Sequence, residues 1–167
     1  MSYPPLLPAE EVALREFLDL YRASVLEKTA DLADAAARTQ LLASTKLTIA
    51  GVVKHLARME DLWFTHKFAG REMPDPWSSA PLKAEPDWDF DSASDEPFAK
   101  TRDLYEAACA RSREVTDAVP LDQESQLTCF GAGRVNLRWV FVHMLEETAA
   151  HRGHLDLQLD QARAATG

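Results

Sequence analysis

The stretch LRWVFVHMLEETAAHRGHLD, residues 137–156, constrains the fold more than any other part of the chain. It has no proline and a helical apolar rhythm, so it reads as one long final helix. At about 100° per residue, Val140, Met144, Glu147, His151 and Leu155 share one face. That face is apolar at both ends, yet its middle is a carboxylate and an imidazole one turn apart. A helix of this kind buries such a face against other helices, and polar groups buried there need a compensating partner. A metal ion is the simplest one, because residues at i and i+4 can point at a single ion.

The remaining chain supplies further helices of the same kind. Met1 to Pro8 reads as an extended lead-in, and Pro8 suits the first turn of a first helix that has Glu10 and Glu11 at its positive end. Leu14, Phe17, Leu18, Tyr21 and Val25 carry that helix to about Leu32. Residues 33–46 read as a connection with a short helical turn. A second helix opens at Thr45 or Thr48 and stops near Gly70, with Val52, Leu56, Met59, Leu62 and Trp63 as its inner stripe. Lys54, Arg58, Asp61 and Thr65 fall on its other side. A third helix starts at Ser94 or Asp95 with Pro97 in its first turn. Its seam is Phe98, Thr101, Tyr105, Ala108, Ser112, Val115 and Val119, and Pro120 ends it. Asn136 caps the last helix. Between the second and third helices, residues 71–95 are rich in proline and tryptophan, and they include the acidic run Asp87-Trp88-Asp89-Phe90-Asp91. A connection this long is a candidate lid, or equally a surface loop that only adheres to the bundle end. With no alternating strand pattern and no repeat, the chain predicts an all-α four-helix bundle, with a long crossover loop between helices 2 and 3, as a single domain over 1–167.

Composition removes several classes of function. A formal net charge of −9 without a basic stripe excludes a nucleic-acid footprint. No apolar run approaches the roughly 18–20 residues of a membrane span, and no charged-then-apolar leader opens the chain, so a cytoplasmic setting is expected. Cys109 and Cys129 are too few for a disulfide framework; Cys109 reads as core filler.

His55 interrupts the apolar stripe of the second helix between Val52 and Met59. If the second and last helices face each other, His55, Glu147 and His151 converge. Two imidazoles and a carboxylate suit an open zinc site, and equally nickel or ferrous iron. A hydrogen-bonded core histidine and an internal Glu147–His151 pair account for the same residues without metal. His143 and His154 lie one turn from the central pair and have rival claims to ligation. His66 lies about 16 Å along the axis from His55, too far to share an ion. Val142 and Leu145 lie away from the metal face and need cover, from another helix or from a second copy in a homodimer.

The segments Gly51-Val52-Val53-Lys54-His55-Leu56 and Val135 to Asp156, with the loop motif Pro86-Asp87-Trp88-Asp89-Phe90, resemble the DinB-like superfamily. The nearest branch is the one grouped with mycothiol-dependent maleylpyruvate isomerases. The resemblance spans nearly the whole chain. It implies a DinB-type bundle with a divalent metal, usually zinc or nickel, and its ligand pattern maps onto His55, Glu147 and His151. It also implies a low-molecular-weight thiol, of mycothiol type, used with an electrophilic substrate in transferase or isomerase chemistry.

On this reading His143 and His154 hydrogen-bond a ligand or shuttle a proton. Trp63, Trp88 and Phe90 wall the pocket. The competing expectation is a bundle that holds a metal or small ligand without turnover, for sequestration or sensing. A third is a metal-free assembly module.

Overall fold

The computed structural model describes residues 3–164. Met1 and Ser2 of the expected lead-in, and the last three residues of the expected domain, lie outside them. The helices are α1 (Glu10–Lys28), α2 (Asp34–Arg38), α3 (Ile49–Glu60), α4 (Trp88–Asp91), α5 (Phe98–Thr116) and α6 (Leu137–Ala164). The described residues form no strand, only two isolated bridges in the loop before α6. None of their helices is long and apolar enough to cross a membrane.

Side-chain pairs fix the directions of the four long helices. Arg138 meets Glu10, Arg152 lies over Tyr21 and Lys28 pairs with Asp156, so α1 and α6 run parallel. His55 meets Glu147 and Trp63 meets Trp139, so α3 and α6 run antiparallel. Asp19 pairs with Arg113 and Arg15 reaches Thr116, whereas Arg102 reaches Ala30, so α1 and α5 run antiparallel. The order is up, down, down, up. Two consecutive helices pointing the same way require a chain that returns the length of the bundle. Residues 69–97 make that return, which is the expected crossover.

Several expected boundaries move. α1 stops at Lys28, not Leu32, where Thr29 leaves helical geometry at φ −105° and ψ 3°. Pro8 precedes the Ala9 cap and is not in the first turn. Thr48 caps α3 by accepting from the Gly51 N–H at 2.9 Å. The second helix is not α-helical throughout: Asp61–Phe68 is a π-helical continuation of α3, closed by Gly70 at φ +68°. The crossover holds α4 and a 3-10 turn at Ser92–Asp95, so α5 starts at Phe98 rather than at Ser94 or Asp95. α5 also ends at Thr116, before Pro120.

The polar side assigned to α3 is corrected too. Lys54, Asp61 and Thr65 are buried and Arg58 half-buried, because α5 and the crossover cover the side that a two-sided helix would leave to solvent. Each finds a partner. Arg111 grips Asp61 with two hydrogen bonds of 2.8 Å, and the Trp77 indole N–H donates to the same carboxylate at 2.9 Å. Lys54 donates to Ser92 and Glu96 and lies over the Trp88 ring. These contacts pin the crossover to the bundle. Buried Cys109 and the seam from Phe98 to Val115 lie in the core as expected, and Leu145 packs against core residues of its own chain.

α5 has no local side-chain cap. The Phe98 N–H donates instead to Asp34 of α2 at 2.7 Å, and this bond with Arg38 lowers the Asp34 pKa. A carboxylate whose pKa falls on folding stabilises the fold above its unfolded pKa of about 4, and that stability is lost as pH falls through the folded value. The stability gap between parent and Asp34→Ala is therefore expected to be full at neutral pH and to close in acid. Urea titrations at a series of pH values check this; a gap independent of pH would remove Asp34 as the cap.

Candidate metal centre

Gly51 begins the construction of the site. A Cβ there would stand 3.0 Å from the Phe90 carbonyl oxygen and 3.4 Å from its Cα, so the absence of a side chain lets α4 lie directly on α3. That contact sets Asp89 and Phe90 beside His55, one turn further along α3. Phe90 stacks on the imidazole with centroids 4.3 Å apart and planes 18° from parallel. Asp89 is fully buried, and its Oδ2 lies 2.8 Å from His55 Nδ1 and 3.1 Å from Arg58 Nη1.

An ionised carboxylate only accepts, so Nδ1 of His55 carries the proton and Nε2 faces inward. Across the interface, α6 presents Glu147 and His151 one turn apart, as its spacing implies. Glu147 Oε1 lies 2.9 Å from His55 Nε2 and 3.2 Å from His151 Nε2. The three ligand atoms fall within 4.8 Å of one another, a group that could hold a metal ion.

The donor set fits such an ion. Donors about 2.0–2.1 Å from one centre in tetrahedral geometry lie about 3.3 Å apart, near the two separations from Glu147 to the imidazoles. Two imidazole nitrogens also face one carboxylate oxygen. Each of those contacts needs its own proton, whereas one cation between the three atoms satisfies all of them. Asp89 behind His55 is the arrangement that metal-binding histidines commonly use to fix ring orientation and raise basicity.

The electrostatics have the same sense. Burial lowers the His55 pKa, but hydrogen bonds to Asp89 and Glu147 outweigh it and the net shift is upward. His151 and His55 together hold the Glu147 carboxyl far below its usual range. Asp89 is raised by burial but lowered more by His55 and Arg58, so it stays ionised.

The other sequence candidates fall in distinct places. His154 is exposed, its Nδ1 3.4 Å from His151 Nδ1 at the rim. His143 lies one turn before Glu147, stacked on Trp139 (5.1 Å, 19°) and edge-on to Trp63 (4.4 Å). Trp88 packs against Trp77 and beneath Lys54. His66 contacts the Arg71 carbonyl, and Asp156 pairs with Lys28.

Helical spacing does not single out Asp89, Arg58 or Gly51 as parts of the site. Asp89 is one of three alternating aspartates, and nothing in their spacing distinguishes it until α4 forms. Asp89→Asn is expected to weaken metal binding about 10- to 100-fold while the helices stay formed. Competition with a chromophoric chelator measures it, and unchanged affinity would make Asp89 a structural residue only.

A helical bundle with a crossover and a His/Glu/His group between its antiparallel helices is consistent with a DinB-like bundle. The sequence pattern of the Mycothiol-S-transferase family matches residues 13–161, and the chain belongs to that family. No curated protein gives a significant match to it.

Proposed function

We propose that this single-domain chain is a divalent-metal-dependent transferase that joins a low-molecular-weight thiol of mycothiol type to a small electrophile. The observation that carries this reading is the convergence of His55, Glu147 and His151, with His55 held from behind by buried Asp89. Zinc suits the donor set best, with nickel or iron as alternatives. A cation bound there supplies positive charge that favours the thiolate over the thiol at neutral pH.

The chain's own residues do the rest. Asp89 and Arg58 keep the His55 ring from rotating, and Phe90 covers one face of that ring and limits water. Glu147 and His151 complete the cradle from α6. The thiol proton leaves to a base at the rim, where His154 stands against His151, or to solvent. The sulfur electron pair then forms a bond to the electrophilic carbon, whose leaving group departs with its own bonding pair. Cys109 and Cys129 are both free, in keeping with a reducing cytoplasmic setting.

The test is thiol consumption by the metal-loaded protein with mycothiol, bacillithiol or glutathione and an alkylating or arylating electrophile. Adduct formation should follow enzyme concentration, and His151→Ala should lower the rate at least about a hundredfold, the loss of several kcal/mol of charge stabilisation. Metal held tightly with no rate above background for any thiol would favour a bundle that binds metal or a small ligand without turnover.

A further inference from the structure

Residues 139, 143, 147 and 151 form one i, i+4 row on α6, and it faces the row 55, 59 and 63 of α3 and its continuation. One end of this paired row is the metal centre. At the other end the rings of Trp63, Phe130, Trp139 and His143 gather: Trp63 lies 5.5 Å from Phe130 and 5.3 Å from Trp139, and Phe130 lies 5.8 Å from Trp139. His143 joins the two ends, about 6 Å of helix rise from Glu147.

Two unusual backbone features meet here. Trp63 lies in the π-helical stretch, a distortion often found at functional sites. Phe130 stands at φ +53°, left-handed backbone that side chains other than glycine rarely adopt. The turn is held in place, with the Cys129 N–H bonded to the Gly133 carbonyl, and the Leu127 and Gln126 N–H groups bonded to the Lys67 and Phe68 carbonyls of the π-helical stretch. This strained turn keeps the Phe130 ring 75% exposed above two indoles. A core would bury it, so stability alone does not explain it.

We infer that Trp63, Phe130, Trp139 and His143 form a docking subsite for a flat, conjugated electrophile, adjoining the centre where the thiol is held. This rests on the transferase reading and specifies its substrate class. The size of the surface selects the occupant. Phe130 (75% exposed) and Trp139 (38%) together offer apolar area on the order of 250 Å². A stable dimer needs about 800 Å² from each partner, whereas a single planar ring system is covered by far less. Stacked and edge-on rings suit an electron-poor π-system.

The decisive experiment titrates 1,3-dinitrobenzene, a planar nitroarene with no leaving group, into the metal-loaded full chain and follows the indole N–H resonances. Trp63 and Trp139 should shift saturably, while Trp77 and Trp88, away from this face, should stay in place as internal references. Phe130→Gly, which suits the left-handed backbone and keeps the fold, should weaken binding at least about threefold, and Trp139→Ala likewise. His151→Ala should leave probe binding intact. If the parent binds the probe but neither holds metal nor transfers thiol, the transferase reading falls and the subsite stands. Equal shifts at all four tryptophans, no saturation, or affinity unchanged in both ring variants would overturn the subsite. Concentration-dependent shifts of Trp63 and Trp139 without probe would overturn it too, by assigning the face to a second copy.

Discussion

Protein purified without a metal-binding tag is expected to carry about one equivalent of divalent metal, and His55→Ala and His151→Ala each to lose nearly all of it while staying helical. Each substitution removes one of the three side chains that converge there among the described residues. The two remaining cannot hold an ion against water and buffer, because an open site already leaves its other positions to solvent. Thermal stability should follow metal content. A ligand present at about 100 to 1,000 times its Kd stabilises the native state by about 2.7–4.1 kcal/mol. For a chain of this size that is on the order of 5–15 °C in Tm. Chelator should bring the parent down to the level of His151→Ala and leave both variants unchanged, with His55→Ala lower still because buried Asp89 loses a partner. Elemental analysis beside scanning calorimetry measures both. Equal metal in parent and variants would move the ion elsewhere, and no uptake of added zinc or nickel would remove the metal from the proposal altogether.

The largest loss of stability is expected at a position remote from the ligands. Arg22 of α1 is buried, and its guanidinium reaches Glu60 of α3 with two bonds, Nε to Oε1 at 2.8 Å and Nη2 to Oε2 at 2.5 Å, while Nη1 reaches Asp19. Burial pulls the Arg22 pKa down, but the Glu60 charge more than restores it, and the guanidinium stays ionised. Arg22→Ala leaves the fully buried Glu60 carboxylate without its partner, a loss of about 3–5 kcal/mol. Arg22→Met combined with Glu60→Leu removes both charges and fills similar volume, and should recover most of that stability. Urea unfolding of the parent, the single variant and the double variant measures the difference. Metal stoichiometry should be the same in all three, which separates this clamp from the ligand set. A single-variant loss below about 1 kcal/mol would show that water reaches Glu60 and the pair is effectively a surface one.

The convergence of His55, Glu147 and His151 is legible in the sequence because all three obey helical spacing. Glu147 and His151 are one turn apart on an apolar face, and His55 sits within an apolar stripe, so the same periodicity that builds the bundle brings all three inward. Asp89 obeys no such rule. It reaches His55 only because Gly51 lets α4 lie on α3, and a contact made by a missing side chain leaves little trace in a pattern of residue types. The burial of Lys54 and Asp61 is hidden for a related reason. Periodicity assigns a polar residue to solvent, but α3 is covered on both sides and its charges are paired inside.

Local sequence therefore determined the long helices, the seam of α5, a threonine cap at Thr45 or Thr48, a segment long enough for a crossover and the apolar faces that carry His55, Glu147 and His151, since each depends on spacing within a single element. Tertiary structure alone decided which carboxylate stands behind His55, where α5 starts, how Arg22 and Glu60 are paired and where the Phe130 ring is held. Those outcomes depend on which elements lie side by side, and that is set by the summed packing of the whole chain rather than by the residues next to one another in it.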